Sequence, residues 1–300
     1  MKNEAMKGKF YLVGAFSFAG TSVVAARYVS GRIGVFTIAA ASFLFALILL
    51  LPVCFRKLKN AIRVMTWRTI GEICLQALFG MFLFRFLLLN GLTRTTSLEA
   101  GIMTGTTPAI TAFLARALLR EKANARTILG VLATAAGVLL VQNIVRGGEI
   151  KMEHLIGNLL VIGAAASESV FNILSRASVL RLNENGTPLD PLVQTALVTF
   201  ASLLFCLLPA SLENPIARLG SLGVPGWIAL GWYGFFVTAL AYLCWYGGIK
   251  RSGAFTAAAF SGLMPLTSML FSAWMLHERA DVFQWIGGGF VILGMALIGS

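Results

Sequence analysis

A carboxyl group lies deep in an apolar stretch of this sequence. Glu168 stands roughly 13 residues into the run 155–176, which is about 20 Å along a helix axis at 1.5 Å per residue. Asn172 and Ser175 follow on the same helical face. Because a low dielectric disfavours a charged carboxyl group, we expect Glu168 to hold a proton until a cation or a water-filled opening stabilises its charge. This face is predicted to bind substrate or couple it to protons or cations; a glutamate that only ties helices together is the alternative.

Two aromatic residues and two opposite charges are further candidates. Trp232 and Tyr242 lie deep in another apolar run and are expected to line a cavity. Arg85 and Glu99 lie at similar depth in neighbouring runs that a short turn connects. Since charges inside a membrane are costly unless paired, we expect these two to meet, as a structural ion pair or as a gate.

Two prolines occupy the middle of apolar runs. Pro108 and Pro265 each follow a glycine by three residues. Proline removes a backbone hydrogen bond and displaces the preceding turn, so each helix is predicted to kink or break there. We expect both positions to act as hinges, with a merely tolerated kink as the alternative.

The elements that carry these residues are too apolar for water. Hydrophobic residues make up 58% of the 300-residue chain, charged residues only 12%, and the mean hydropathy is +0.83. The net charge of +12 comes from short Lys and Arg clusters between apolar runs rather than from one basic face. The composition therefore favours the lipid bilayer as partner and argues against nucleic acid.

Ten apolar runs are long enough to cross a hydrocarbon core of about 30 Å, which takes roughly 20 helical residues. Because they lack the two-residue alternation of barrel strands, we predict an all-α integral membrane protein with ten transmembrane helices. The predicted spans are 10–27, 34–54, 69–90, 97–118, 126–143, 155–176, 191–209, 226–247, 254–276 and 283–299.

The same pattern occurs twice along the chain. Residues 94–141 align on 251–298 without a gap, and the matched pairs include Arg94 and Arg251, Gly105 and Gly262, and Pro108 and Pro265. We therefore predict two five-helix units, at 1–145 and 150–300. Because five is odd, the second unit enters the membrane from the opposite side, which is the inverted repeat typical of secondary transporters.

Charge in the loops predicts the orientation. The N-terminus and the loops at 55–68, 116–126, 176–190 and 248–253 hold sixteen Lys and Arg, whereas the other loops hold seven. By the positive-inside rule the first set is cytoplasmic. We therefore expect a multi-pass protein of the cytoplasmic membrane with both termini inside.

Small residues recur at one-face spacing in the fifth and tenth spans. They are Gly130, Thr134 and Gly137 in one, and Gly287, Val291 and Gly294 in the other. Such stripes let helices approach closely in lipid. The favoured interpretation is packing within one chain, hence a monomer, with a homodimer seam as the alternative.

The sequence lacks the motifs of an enzyme. It has no P-loop, HExxH, GxSxG or Cys/His cluster, so we expect no catalytic residue, cofactor or metal. A membrane-embedded enzyme acting on lipid-linked substrates would need a clustered nucleophile, base or metal. A membrane scaffold would not need charges and helix breaks inside the membrane. Both remain alternatives to a carrier.

The paired segments share a set of motifs: a helix rich in small residues with a central proline, a terminal Glu-basic dipeptide and a glycine-rich helix. They read TTSLEAGIMTGTTPAITAFLARALLREK and GAFTAAAFSGLMPLTSMLFSAWMLHER up to the dipeptide. Over essentially the whole chain, this arrangement resembles the EamA-type transporters of the drug/metabolite transporter superfamily. The resemblance implies two inverted repeats around a central cavity, and export or uptake of small-molecule substrates such as amino acids or related amines.

Overall fold

The computed structural model describes residues 2–119, 125–141, 152–185, 189–251, 260 and 263–299. Within these ranges the chain forms helices joined by turns, and the one β-type contact is an isolated bridge between Ser30 and Ile33. The predicted all-α class is therefore confirmed for the described part of the chain.

The α-helices, in chain order, are α1 (Lys2–Gly20), α2 (Ser22–Val29), α3 (Val35–Val64), α4 (Trp67–Ala77), α5 (Phe84–Leu92), α6 (Ser97–Thr104), α7 (Thr107–Leu119), α8 (Ala125–Val141), α9 (Met152–Asn185), α10 (Pro191–Ser211), α11 (Pro215–Gly220), α12 (Val224–Trp232), α13 (Ala241–Arg251), α14 (Leu263–Met275) and α15 (Val282–Gly299). Two π-helical segments, π1 (Leu78–Leu83) and π2 (Tyr233–Leu240), join α4 to α5 and α12 to α13.

Six helical segments are long and apolar enough to cross a membrane: Met6–Val29, Val35–Arg63, Trp67–Leu92, Met152–Ser175, Pro191–Ser211 and Val224–Arg251. Three shorter apolar helices are Ala125–Leu140, Leu263–Met275 and Val282–Leu297. Together they fall on every predicted span except the fourth, which is divided into α6 and α7. Residues 254–259, 261 and 262 of the ninth predicted span, and residues 142 and 143 of the fifth, lie outside the described ranges. The pattern is that of a multi-pass membrane protein, while the ten-span inverted repeat stays a prediction.

The first predicted span is kinked rather than continuous. α1 ends at Gly20, and the N–H and hydroxyl of Thr21 both bond the carbonyl of Phe18, at 3.1 and 2.7 Å. Gly20 lies so close to α14 that a Cβ there would be 2.5 Å from the carbonyl oxygen of Met264. The kink therefore brings the backbone of the first span against the helix that carries Pro265.

The small residues of α8 and α15 pack the two helices together. A Cβ on Gly137 would lie 2.5 Å from the carbonyl oxygen of Gly287, and one on Gly294 would lie 2.5 Å from that of Gly130. The predicted close packing within one chain is thus confirmed.

Three carboxylates hold helix ends. Glu213 accepts hydrogen bonds from two backbone N–H groups in the first turn of α3, at 3.2 and 2.8 Å, and Glu278 does the same for α6, at 3.1 and 2.8 Å. Asp190 caps α10 through the N–H of Leu192 at 3.0 Å and binds the ammonium group of Lys57 at 2.8 Å. Each carboxylate stabilises the N-terminus of a helix, where the N–H groups are free and the helix dipole is positive, and links it to a segment distant in sequence.

Candidate functional site

A narrow cavity lies where α1, α5, α9, π2, α13 and α14 meet. Its volume of about 60 Å³ is room for a few water molecules. The lining residues are Ala15, Phe16, Ala19, Ser22, Phe84, Arg85, Glu168, Phe171, Asn172, Tyr233, Val237, Ala241, Tyr242, Trp245 and Met264. Two of them are charged, Arg85 and Glu168. We call this space the central cavity.

Glu168 reaches the central cavity from α9, and its neighbours fix that helix in place. Ser167 donates a hydrogen bond to the carbonyl of Phe79 in π1 at 2.7 Å, and the Ser169 hydroxyl lies 2.9 Å from the carbonyl oxygen of Thr107 and 2.8 Å from that of Ala165. The Glu168 Oε2 atom lies 3.0 Å from the Thr107 hydroxyl. Among the described residues, no basic side chain lies within ion-pair distance of Glu168. The carboxyl group is therefore held by a neutral hydroxyl at the start of α7.

The Thr107 hydroxyl has two neighbours but only one hydrogen to donate. It lies 2.8 Å from the carbonyl oxygen of Thr104 as well as 3.0 Å from Glu168. In an α-helix the Thr104 carbonyl would bond the N–H of residue 108, which Pro108 lacks. If Thr107 donates to Thr104, only a protonated Glu168 can bond Thr107, by donating to it. If Glu168 is ionised and keeps this bond, Thr107 must donate to it, and the Thr104 carbonyl loses the hydroxyl.

The two polar residues predicted to follow Glu168 differ in their surroundings. Asn172 lines the central cavity one turn along α9. Ser175 is fully buried and donates to the carbonyl of Asn172 at 3.1 Å. It is not among the described residues that line the cavity, so the predicted polar face reaches the cavity at Glu168 and Asn172.

The two predicted aromatic residues lie in different cavities. Tyr242 lines the central cavity, and its hydroxyl donates to the carbonyl of Gly80 in π1. Trp232 donates from its indole N–H to the hydroxyl of Thr21 at 2.9 Å. It lines a second, apolar cavity of about 430 Å³ between α2, α12 and α14. The structure therefore brings Tyr242, but not Trp232, to the cavity that Glu168 lines.

Arg85 lies on α5 with only 3% of its surface exposed. Its terminal nitrogens donate to the hydroxyls of Ser42 and Thr238. The guanidinium carbon lies 4.4 Å from the ring centre of Phe43 and 4.2 Å from that of Tyr233, which are cation–π contacts. Hydroxyls and aromatic faces thus surround this cation.

The expected pairing of Arg85 with Glu99 is not what the structure shows. Glu99 accepts a hydrogen bond from the amide of Asn158 at 2.8 Å and lies 3.5 Å from the Nδ1 atom of His154. The Thr95 hydroxyl lies 2.8 Å from Glu99 and 2.7 Å from the amide oxygen of Asn158. The short turn between α5 and α6 led us to expect a contact, but α9 supplies the closer partners of Glu99. A gate formed by Arg85 and Glu99 therefore has no contact to support it.

The helix break at Pro108 lies beside the central cavity. Gly105 and Thr106 separate α6 from α7, and Pro108 is the second residue of α7. Pro265 is the third residue of α14 as described, next to Met264 on the cavity wall. A Cβ on Gly105 would lie 3.2 Å from the Pro265 side chain, so the two proline regions meet.

Sequence reasoning missed Thr107 and the position of Arg85 at the cavity. A hydroxyl directly before a proline was an available signal, since such side chains satisfy backbone groups that proline leaves free. Arg85 was recognised as an intramembrane charge, but its partners come from α3 and π2 and no local pattern indicates them. Among the described residues, no group of His, Cys, Asp and Glu is placed to hold a metal ion.

Comparison with known proteins gives a family and a fold. The model of the EamA-like transporter family matches residues 6–142 and 155–300. The uncharacterized transporter YetK of Bacillus subtilis (strain 168) is 31% identical over 289 residues, covering 95% of this chain and 84% of YetK. The uncharacterized transporter YyaM of the same organism is 33% identical over 226 residues, covering 73% of this chain and 69% of YyaM. One crystal structure aligns with 99% of this chain and 96% of its own, with a TM-score of 0.62 and 19% identity, which shows a shared fold.

Proposed function

The chain belongs to the EamA-like transporter family, and on that premise we propose that it is a secondary transporter for amino acids or related amines in the cytoplasmic membrane. Family membership and the names of the relatives point to membrane transport of a small molecule and away from an enzyme. The proposal adds the substrate class, the membrane and alternating access as the mechanism.

The central cavity is the observation that carries the proposal. It is lined by the apolar helices that also supply its two charged side chains, Glu168 and Arg85. Ionisable groups inside a membrane are costly, and where they face a cavity they mark a substrate or ion pathway. With about 60 Å³ the cavity is too small for an amino acid. Transport therefore requires it to widen toward one side at a time.

Glu168 is proposed as the coupling residue, with Asn172 and Tyr242 beside it at the substrate. A carboxyl group that exchanges a proton or a cation links the driving ion to the substrate site. The shared hydroxyl of Thr107 supports this role, because it links the protonation of Glu168 to the hydrogen bonds of the break before α7. The break before Pro108 and the start of α14 at Pro265 are proposed as hinges through which the cavity opens.

The proposed architecture has ten spans in two inverted five-helix units, 1–145 and 150–300, with both termini cytoplasmic. The loop charges support the orientation. The offset that pairs Arg94 with Arg251 also carries Leu83, the end of π1, onto Leu240, the end of π2. The occurrence of the same rare helical distortion at matched positions supports two copies of one unit.

Transport in reconstituted vesicles tests the function. The full chain in proteoliposomes, with and without a pH gradient, is expected to exchange at least one radiolabelled amino acid or amine faster than protein-free vesicles do. A panel of amino acids and amines that all cross no faster than in protein-free vesicles would contradict the proposed substrate class.

A further inference from the structure

Arg85 is a buried cation whose described partners carry no negative charge. Ser42 donates its own hydroxyl hydrogen to the carbonyl of Ala39 at 2.8 Å, and Thr238 donates to that of Tyr233 at 2.8 Å. Both hydroxyls therefore use lone pairs to accept from the guanidinium. They orient Arg85 without neutralising it.

The charge of Arg85 is thus incompletely compensated. Its partners use two of the five N–H donors of a guanidinium. No carboxylate of the described residues lies within ion-pair distance of it. Burying a charge without an opposite charge is costly, and an ionisable side chain inside a membrane marks a candidate substrate or ion site.

Glu168 is the second charged side chain that lines the same cavity. It lines the cavity from α9, whereas Arg85 lines it from α5, and the two do not form an ion pair. The cavity therefore presents one fixed cation and one carboxyl group, separated by a space. Its other lining side chains are apolar, aromatic or neutral and polar.

We propose that the central cavity binds a zwitterion, with the carboxylate of the substrate on Arg85 and its ammonium group on Glu168. This assignment rests on the proposed transport function and narrows its substrate class to molecules that carry both charges. A guanidinium binds a carboxylate through two parallel hydrogen bonds, and a carboxylate accepts from an ammonium group. The rings of Phe171 and Trp245 provide an apolar surface for the rest of the substrate.

In the competing arrangement, Arg85 and Glu168 compensate each other through bridging water. The substrate then needs no carboxylate to bind. The two arrangements differ in what they require of a ligand. A zwitterion site loses a charge-assisted contact when either group of the ligand is removed, whereas the competing arrangement tolerates removal of the carboxylate.

Matched ligands test the proposal on the unmodified full chain. The probes are three sets: alanine with ethylamine and propionate, leucine with 3-methylbutylamine and 4-methylpentanoate, and phenylalanine with phenethylamine and 3-phenylpropionate. Each set keeps the side chain and removes the carboxylate or the amine. The readouts are the concentration of each probe that raises the melting temperature of the purified protein and, for the amino acids, exchange in proteoliposomes.

In at least one set, the amino acid is expected to act at a concentration roughly 10- to 100-fold lower than its amine or its acid. An amine that acts as strongly as its amino acid in every responsive set would overturn the zwitterion assignment while leaving transport intact. If no probe binds or is exchanged, the proposed function fails together with this assignment.

Variants of Arg85 test the contact directly. Arg85→Gln is expected to remove the advantage of the amino acid over its amine, and Arg85→Lys to keep part of it, because a lysine binds a carboxylate through a single point charge. Arg218→Gln removes an exposed positive charge and is the matched control, expected to keep the full advantage. A folded Arg85→Gln protein that still prefers the amino acid would overturn the proposal. If the variant does not fold, the comparison of matched ligands on the unmodified chain decides.

Discussion

Glu168 is the group on the cavity wall that is suited to exchange a proton. Of the two charged side chains that line the cavity, Glu168 carries the carboxyl group and Arg85 the guanidinium. The carboxyl group touches the Thr107 hydroxyl, whose hydrogen bonds depend on whether Glu168 carries a proton. At the scale of single residues, the coupling hypothesis therefore involves two groups, the carboxyl group of Glu168 and the hydroxyl of Thr107.

Glu168→Gln keeps the shape and hydrogen bonding of the side chain but cannot ionise. We expect exchange across equal pH to persist at a reduced rate, because an amide binds an ammonium group more weakly than a carboxylate does. Acceleration by a pH gradient should disappear. The measurement is uptake in proteoliposomes over a series of internal and external pH values.

The control for Glu168→Gln is Glu153→Gln, which changes an exposed glutamate on the same helix. It should respond to a pH gradient as the parent does. Equal pH dependence of the parent and Glu168→Gln would make Glu168 a structural residue and refute the coupling hypothesis.

Asp190, which precedes α10, gives a prediction about stability. Burial raises the pKa of this carboxyl group, but the hydrogen bonds from Lys57 and from the N–H of Leu192 lower it more, so its pKa lies below the ordinary value. Stabilisation by the ionised carboxylate is therefore present above the unfolded-state pKa and is lost as the pH falls through the lowered one. Asp190→Asn should melt at a lower temperature than the parent at neutral pH. The difference should shrink in acid.

The effect of Asp190→Asn should be small, because the side chains of Lys57 and Asp190 are 60% and 39% exposed. Melting in detergent, followed by tryptophan fluorescence at several pH values, measures it. Lys57→Gln is the companion variant and should also lower the melting temperature at neutral pH. A melting difference that grows in acid would contradict the assigned direction.

The sequence predicts which residues line the cavity better than it predicts the residues that they contact. Glu168 stands out because its span is apolar, and the structure places it at a cavity. The partners of Arg85 lie 43 and 153 residues away in the chain. Contacts between spans distant in sequence arise only when the helices assemble, so proximity along the chain misassigned Arg85 to Glu99.

At the scale of helices, the break between α6 and α7 leads directly to Thr107, which contacts Glu168. The Thr104 carbonyl lacks its helical partner because residue 108 is proline, and the Thr107 hydroxyl compensates. Whether this hydroxyl bonds Thr104 or Glu168 depends on the proton on Glu168. The break therefore provides a physical route from protonation to helix geometry.

Pro108→Ala supplies the missing N–H to the Thr104 carbonyl and should make the helix continuous and stiffer. We expect slower transport with little change in substrate binding, because Pro108 is not among the described residues that line the cavity. The measurement is the maximal exchange rate beside the binding affinity, obtained for the same preparation. An unchanged rate would show that the break is merely tolerated.

Thr107→Val removes the hydroxyl, whereas the matched Thr107→Ser keeps it. Loss of the hydroxyl should weaken the dependence of transport on pH, and Thr107→Ser should preserve it. If Thr107→Val transports with the pH dependence of the parent, protonation of Glu168 does not act through the break between α6 and α7.

Helices were predictable as elements, but their irregularities were not. Apolar length located the apolar helices, since crossing the membrane sets a minimum length, but α3 continues to Val64 beyond the predicted end at 54, and the fourth predicted span is divided into α6 and α7. The π-helical segments and the kink at Thr21 left no such signal. The kink accompanies the close approach of Gly20 to α14, a contact between the first and ninth predicted spans.

The molecule as a whole is proposed to contain one five-helix unit twice, in opposite orientations. The predicted odd number of spans per unit and the charge bias of the loops both support this arrangement. In an inverted repeat, corresponding loops face opposite sides of the membrane. In a parallel duplication they would face the same side.

Lys59, near the end of α3, and Ile216, in α11, lie at corresponding positions after the second and the seventh predicted spans, and both are exposed. We replace the four native cysteines (Cys54, Cys74, Cys206 and Cys244) and introduce one cysteine at either position. In intact cells, a membrane-impermeant maleimide should label Ile216→Cys and spare Lys59→Cys until the membrane is permeabilised. Labelling of both positions from one side would refute the inverted repeat. Labelling of Lys59→Cys alone would keep two opposed units but reverse the orientation of the whole molecule, placing both termini outside.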